Sequence, residues 1–337
     1  MTSNLRMPAE TAAHERTVMC WPARPELYGD LMPDAERAHA EVATTIARFE
    51  PVTVIAAPGS GARAAEHCGG AVEVVELPLD DSWFRDTGPI YVLSADGNRR
   101  VALDWVFNAW GEKFAPWDDD AAVARRWADV AGHESRSVSM VLEGGSIAVD
   151  GQGTRVTTEQ CLLHPNRNPT LTRTAIEECL SAELGVSTVL WMPHGLALDG
   201  DTDGHVDNVA AFARPGTLVV QGCDDPAEDD WLRCNINRRS ALDALDATGR
   251  PLAVVEVPIL PYTEVAGRRV AVPYLNFYTG NGFVVVPVCG HDADDDMVAI
   301  IAEQYPDRET IALEVGAILA YGGGGIHCIT QQVPAVG

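Results

Sequence analysis

Cys328 stands three residues after an unbroken glycine run, Gly322-Gly323-Gly324-Gly325. Glycine lets a backbone approach a ligand closely and adopt φ > 0 at no steric cost. A cysteine displayed beside bare backbone suits a nucleophile at the floor of a cleft, with Gly325 lying against the substrate. A free cysteine is more often a small buried hydrophobe, so its partners must come from elsewhere in the chain. Three other segments concentrate reactive side chains. They are Asp81-Ser82-Trp83-Phe84-Arg85-Asp86, Leu142-Glu143-Gly144-Gly145, and Gly200-Asp201-Thr202-Asp203-Gly204-His205-Val206-Asp207-Asn208. From Asp86 to Glu143 is 57 positions, and from Glu143 to His205 is 62. From His205 to Cys328 is 123, which is two more steps of similar size.

A thiolate with an imidazole makes a nucleophile and a proton shuttle. Neither papain-type nor caspase-type surroundings occur around Cys328. A protease also has no need of several carboxylates beside its nucleophile. Paired carboxylates suit a guanidinium, whose planar fork of donors takes bidentate partners. Attack at its central carbon needs the positive charge held in place, which two flanking carboxylates would do. Trp83 either stacks on that cation or its alkyl stem or fills core. Three histidines compete for the base role. If Cys328 is in extended structure, His327 points to the opposite face. His194 lies nearer its strand than its loop tip. His205, between Gly204 and Asp207, is the best placed.

The elements between these segments repeat. Residues 90–107 read as a hairpin turning at Asp96-Gly97, 118–131 as a helix and 137–142 as a strand. The same order recurs over 145–159, 170–184 and 188–192, and again over 208–221, 227–245 and 252–260. It recurs last over 273–288, 294–305 and 310–319, and Cys328 then opens a short final strand. A less regular unit precedes them, with strands over 17–22, 52–57 and 72–77 and a helix over 34–49. The repeat lies in pattern and not in residue identity. Modules that cannot each bury their own faces pack around a common axis. The expected fold is therefore α/β, a five-bladed α/β propeller of ββαβ modules forming a single domain over residues 1–337. Loops after each module's last strand then converge, bringing Cys328, His205, Asp86, Glu143 and Asp207 into one pocket.

Composition narrows the partners. The 337 residues carry a formal net charge of −25, which disfavours nucleic acid and anionic membrane surfaces. The acidic runs near 118–120, 228–230 and 294–296 read as solvated helix N-termini. No apolar run is long enough to span a bilayer, and residues 1–16 lack a signal-peptide core. The eight cysteines are scattered without a CxxC pair, so neither a disulfide scaffold nor a zinc knuckle is expected, and a reducing cytoplasm fits them. Asp199, Asp201 and Asp203 resemble the start of a calcium loop, but its twelfth position is Ala210 and its flanks read as strands. Gly59-Ser60-Gly61 resembles a dinucleotide fingerprint, but the helix after it is short and no βαβ unit follows.

These motifs resemble those of the agmatine deiminases, within the wider guanidino-modifying α/β-propeller family. The likeness runs from Met7-Pro8-Ala9-Glu10 to Gln331-Gln332. It includes Trp83-Phe84-Arg85-Asp86-Thr87-Gly88-Pro89, Leu142-Glu143-Gly144-Gly145-Ser146, Gly204-His205-Val206-Asp207-Asn208 and Gly325-Ile326-His327-Cys328. The resemblance implies hydrolysis of agmatine to N-carbamoylputrescine and ammonia through a thiouronium on Cys328. Another guanidino compound or peptidyl-arginine is the alternative substrate. It implies His205 as acid and base, Asp86 and Asp207 holding the guanidinium, and Glu143 supporting His205 and the substrate. Asp201 stands where the family places an acid. It either meets a terminal ammonium or stabilises its own turn. A small cationic substrate, no metal, no organic cofactor and a homodimer are also implied.

Three positions depart from the family pattern. Thr11 replaces an aromatic residue, and Glu112 replaces a glycine after Asn108-Ala109-Trp110-Gly111. In the fourth module a long acidic loop is reduced to Pro261-Tyr262-Thr263-Glu264, which predicts a wider pocket mouth and weak discrimination at the far end of the substrate.

Overall fold

The computed structural model describes residues 5–337. Three modules show the expected pattern without additions. Ile147–Val149, Thr154–Thr158 and Thr188–Met192 form one sheet, and Ala210–Arg214, Thr217–Gln221 and Ala253–Val257 another. Tyr278–Gly280, Phe283–Pro287 and Glu309–Leu313 form a third. In each, the first two strands pair antiparallel and the last runs parallel to the middle one. The parallel return needs a crossover, supplied by the helices Arg173–Leu184, Asp229–Leu242 and Asp294–Gln304. Each middle strand is buried at all its positions, as a strand covered on both faces must be.

The remaining two sheets take their extra strands from the chain ends. Ile90–Ser94, Arg100–Val106 and Glu134–Val141 are joined at the edge by Leu5–Arg6. His14–Cys20, Val52–Ala56 and Glu73–Glu76 run parallel, and the C-terminal strand Thr330–Pro334 pairs antiparallel with His14–Cys20. The last strand of the chain is thus the first strand of the first module. Neither edge pairing was visible in the local pattern.

Apolar packing joins the modules in sequence. Phe84, Tyr91 and Trp127 pack on Val18 and Ile55, and Ile176 and Leu180 pack with Ile90 and Leu103. Met192 meets Phe212, Val219 meets Val284, and Phe283 meets Met19 and Ile46 across the first and last modules. Each such core draws on more than one module, so no module buries its apolar surface alone. This is the five-module α/β propeller. Among the described residues no helix is long and apolar enough to cross a membrane.

Three local expectations change. Residues 310–319 are not one strand: the strand ends at Leu313 and the helix Gly316–Gly322 follows. The glycine run therefore begins as the last residue of a helix. Residues 261–264 are not a loop remnant, because Tyr262–Val265 pairs with Arg268–Ala271 in a hairpin. Its turn uses positive φ at Ala266 and Gly267, the two-residue geometry that matches strand twist. The acidic runs do open helices, but Asp120 and Asp230 are buried rather than solvated. Asp120 accepts the backbone N–H of Asp80 and Asp81 at 2.8 and 3.0 Å, fixing the loop that leads to Trp83 and Asp86.

Candidate active site

Cys328 lies in a turn two residues before the strand Thr330–Pro334, not at its start. Its thiol is buried between two partners. Asn276 Nδ2 donates to Sγ at 3.2 Å, and the S–H donates to Asp207 Oδ2 at 3.4 Å. Asn276 Oδ1 also accepts the Cys328 backbone N–H at 3.3 Å. The glycines before it make this fit possible. A Cβ on Gly324 would lie 2.5 Å from the Trp83 ring and 3.0 Å from Cys328 Sγ, and one on Gly325 would collide with Asn276 Oδ1. Gly325 therefore packs against Asn276, and Gly324 against Trp83 and Cys328. Burial, followed by the charges of Asp207 and Asp86, pushes the Cys328 thiol well above its ordinary pKa.

The loops expected to converge do so around Gly145. A Cβ there would stand 2.6 Å from His205 Nδ1 and 2.9 Å from both Asp207 Oδ2 and Asp86 Oδ1. Asp86 Oδ1 accepts the Gly145 N–H at 2.8 Å, Oδ2 accepts Trp110 Nε1–H at 2.9 Å, and His205 Nδ1 is 3.7 Å from Oδ2. Burial, with repulsion from Asp207 and Glu143, pushes the Asp86 carboxyl up despite His205. His205 is fully buried, and its loop is fixed by its own backbone N–H, which donates to Asp199 Oδ2 at 3.0 Å. Burial alone would lower its pKa, but Asp86, Cys161 and Glu143 outweigh that and raise it.

Glu143 Oε1 accepts Arg167 Nε–H at 2.6 Å, and Arg167 spans onward to Asp203 Oδ2 at 2.6 Å. Glu143, Cys161 and His205 offer donor atoms within 4.8 Å of one another, the one such metal-type group among the described residues. The Arg167 guanidinium fixed on Glu143 opposes a second cation there, so these groups suit proton handling better than a metal.

Sequence reading missed three residues. Asn276 comes from the fourth module, whose loop was left without a role. Its position between His205 and Cys328, near one module step from each, was the available signal. The other two are Glu10 and His327. His327 Nδ1 lies 2.9 Å from Asp207 Oδ2 and Nε2 lies 2.8 Å from Glu10 Oε1. His327 thus does not line the cleft, but it holds Asp207 by Oδ2, the oxygen that also faces Cys328 and Gly145. Burial and Arg85 work against its charge, and Glu10 with Asp207 outweigh them to raise its pKa. Burial likewise opposes the two carboxylates. His327 holds Asp207 below its usual range, and His327 with Arg85 holds Glu10 at about 2.

Trp110 reaches Asp86 from a left-handed turn. Ala109, Trp110, Gly111 and Glu112 have φ of 53°, 54°, 91° and 62°. Such φ costs a non-glycine residue about 1–2 kcal/mol, and strain of this kind collects at functional sites. Asn108 Oδ1 caps the turn by accepting the Gly111 N–H at 2.9 Å. Above the floor, a narrow cleft is lined by Trp83, Phe114, Leu27, Asp201, Asp86 and Cys328, among others. Trp83 is buried and at the same time forms part of the cleft wall. Asp201 stands at this cleft with its side chain 40% exposed.

Asp207 Oδ1, Glu143 Oε2 and both ring nitrogens of His205 are buried without a hydrogen-bond partner among the described residues. Native interiors rarely leave such groups unpaired. Fold and floor together are those of a guanidino-modifying hydrolase, an enzyme acting on the C–N bonds of linear amidines. The chain belongs to the Porphyromonas-type peptidyl-arginine deiminase family, whose model matches residues 6–334. It is 42% identical over 354 aligned positions to the agmatine deiminase of Stutzerimonas stutzeri, covering 98% of this chain and 95% of that protein. The alignment is longer than the 337 residues here, so that relative carries insertions. The agmatine deiminase of Medicago truncatula is 38% identical, with 98% and 96% covered. The solved agmatine deiminase of Enterococcus faecalis superposes with a TM-score of 0.93 at 33% identity, covering 98% of this chain and 96% of that one.

Proposed function

We propose that this protein hydrolyses agmatine to N-carbamoylputrescine and ammonia through a covalent intermediate on Cys328. The observation that carries the reading is the unpartnered set at the floor: Asp207 Oδ1, Glu143 Oε2 and the His205 ring. A guanidinium supplies several N–H donors in one plane, and Asp86 and Asp207 flank the Gly145 backbone where that plane would lie. The charge offsets the carboxylates that suppress the Cys328 thiolate, so substrate binding itself favours the nucleophile. On substrate binding the thiol loses its proton to solvent, Sγ bonds to the guanidinium carbon, and His205, already protonated, gives its proton to the departing nitrogen. One C–N bond breaks as ammonia leaves, forming an S-alkylthiouronium. Water then attacks the same carbon with His205 as base, the C–S bond breaks, and the ureido product departs. Each turnover consumes one water and releases one ammonia.

The four-carbon stem passes Trp83 and Leu27, and Asp201 takes the terminal ammonium. The names of the relatives support agmatine. The hairpin carries Arg268 beside Asp201 at the mouth, and peptidyl-arginine stays the alternative substrate. The test is ammonia release from agmatine, free arginine, 4-guanidinobutanoate and a peptidyl-arginine. Agmatine should give the highest kcat/KM. Preference for 4-guanidinobutanoate would overturn the assignment of Asp201, and release from none would overturn the reaction.

A further inference from the structure

The hairpin Tyr262–Val265/Arg268–Ala271 is anchored on one side and engaged on the other. Tyr262 Oη–H donates to Asp230 Oδ2 at 2.8 Å, tying it to the helix Asp229–Leu242. Its turn-proximal Arg268 faces the cleft mouth. Arg268 Nη2 lies 3.6 Å from Asp201 Oδ2, while Nη1 donates to the Tyr321 carbonyl at 3.1 Å. The guanidinium also rests 5.7 Å from the Tyr321 ring centre. Arg268 therefore sits between Asp201 and the end of the helix Gly316–Gly322, which leads into the Cys328 loop.

The other charges nearby are already committed. Lys113 Nζ lies 2.7 Å from Asp203 Oδ1 and spends a further hydrogen bond on the Asp201 backbone carbonyl. Asp199 is occupied by Thr202, Asn208 and the His205 N–H. Asp81 is paired with Arg24 at 2.9 Å. Asp201 is the cleft acid whose cationic side-chain partner is long, exposed and replaceable.

We propose that Arg268 is a specificity-determining residue that sets how strongly the mouth reads charge on the substrate tail. It competes with an incoming cation for Asp201, and it moderates the repulsion Asp201 would impose on an anion. This rests on the deiminase reading and on Asp201 as the tail acid. Both side chains are about half exposed, so the competition is screened by water and salt.

Three substrates with a common guanidino group and similar stems separate charge from structure: agmatine, n-butylguanidine and 4-guanidinobutanoate. In Arg268→Gln, kcat/KM for agmatine should rise about two- to fivefold, the scale of an exposed ion pair. The anionic-tail value should fall by a similar factor, and the neutral-tail value should stay level. Arg268→Lys keeps the charge and should behave like the wild type on all three. A common shift of all three substrates in Arg268→Gln, not rescued by Lys, would make Arg268 a prop for the hairpin and overturn the proposal. Wild-type protein inert towards all three would instead overturn the deiminase reading beneath it.

Discussion

The two carboxylates that flank Gly145 are held in opposite ways. Asp207 is held by a histidine that itself rests on Glu10, and its carboxyl is held below its usual range. Asp86 receives two neutral donors, the Trp110 indole and the Gly145 backbone, with the His205 ring at 3.7 Å, and burial still pushes its carboxyl up despite that imidazole. One wall is a fixed charge supported by a charge relay. The other is an acid whose charge is poorly compensated until a cation arrives. The difference teaches where substrate binding acts: the Asp207 wall is ready beforehand, and the Asp86 wall gains most from the guanidinium.

Cys328 lies under both carboxylates and should respond most. With its thiol pKa raised, the thiolate fraction at neutral pH falls below the few per cent of an ordinary cysteine. The difference in ultraviolet thiolate absorbance between wild type and Cys328→Ala, followed against pH, measures this directly. The signal should remain small through neutrality and grow only above the ordinary thiol range. Methylguanidine should shift it downward by about one unit or more, as an opposite charge nearby does. A thiolate already formed at pH 6 in the free enzyme would erase the contrast between the walls.

The Asp207 wall is broken by His327→Asn. This leaves Glu10 and Asp207 without the cation between them, and removing one partner of a buried pair costs roughly 3 kcal/mol or more. The sign is fixed by the raised His327 pKa. Its stabilisation is complete below the ordinary histidine value of 6.5 and fades as pH rises through the folded value. Thermal unfolding against pH should show that alkaline fade in the wild type and a shallower one in His327→Asn, where His205, its pKa also raised, still contributes its share. Equal pH profiles in the two proteins would remove the relay from the account.

The Asp86 wall carries a smaller effect. Glu112 holds φ of 62° in the turn that aims Trp110, where the family pattern has glycine. Glu112→Gly should relieve about 1 kcal/mol of strain, raising the denaturation midpoint with no change in kcat. A fall in stability would mean that the exposed Glu112 side chain contributes more than its backbone costs.

Much of this site was legible because it is written locally. The interval between reactive loops, the strand Thr188–Met192 and the Asp96-Gly97 turn all follow from short-range pattern. Gly145 lay within one of the family motifs, but that no side chain fits there beside His205 is seen only in the structure. What stayed hidden depends on distant chain. Glu10 and His327 meet only because the two termini share the first modules' sheets. Asn276 is uncharged and lies where a hairpin was expected to begin. The helix Gly316–Gly322 was read as strand because its apolar run is short and continuous, which periodicity alone cannot assign. The hairpin at Arg268 replaced a missing loop, and no local signal placed its arginine against Asp201.

The most direct test is an acid quench of the wild-type enzyme during turnover of agmatine, followed by peptide mass analysis, with ammonia release measured in parallel for Cys328→Ser. The account predicts an adduct of agmatine less ammonia on the peptide containing Cys328. It also predicts a loss of ammonia release of at least about a thousandfold in the serine variant, as removal of a nucleophile causes. An adduct on Cys161 instead, or ammonia release by Cys328→Ser at the wild-type rate, would contradict it.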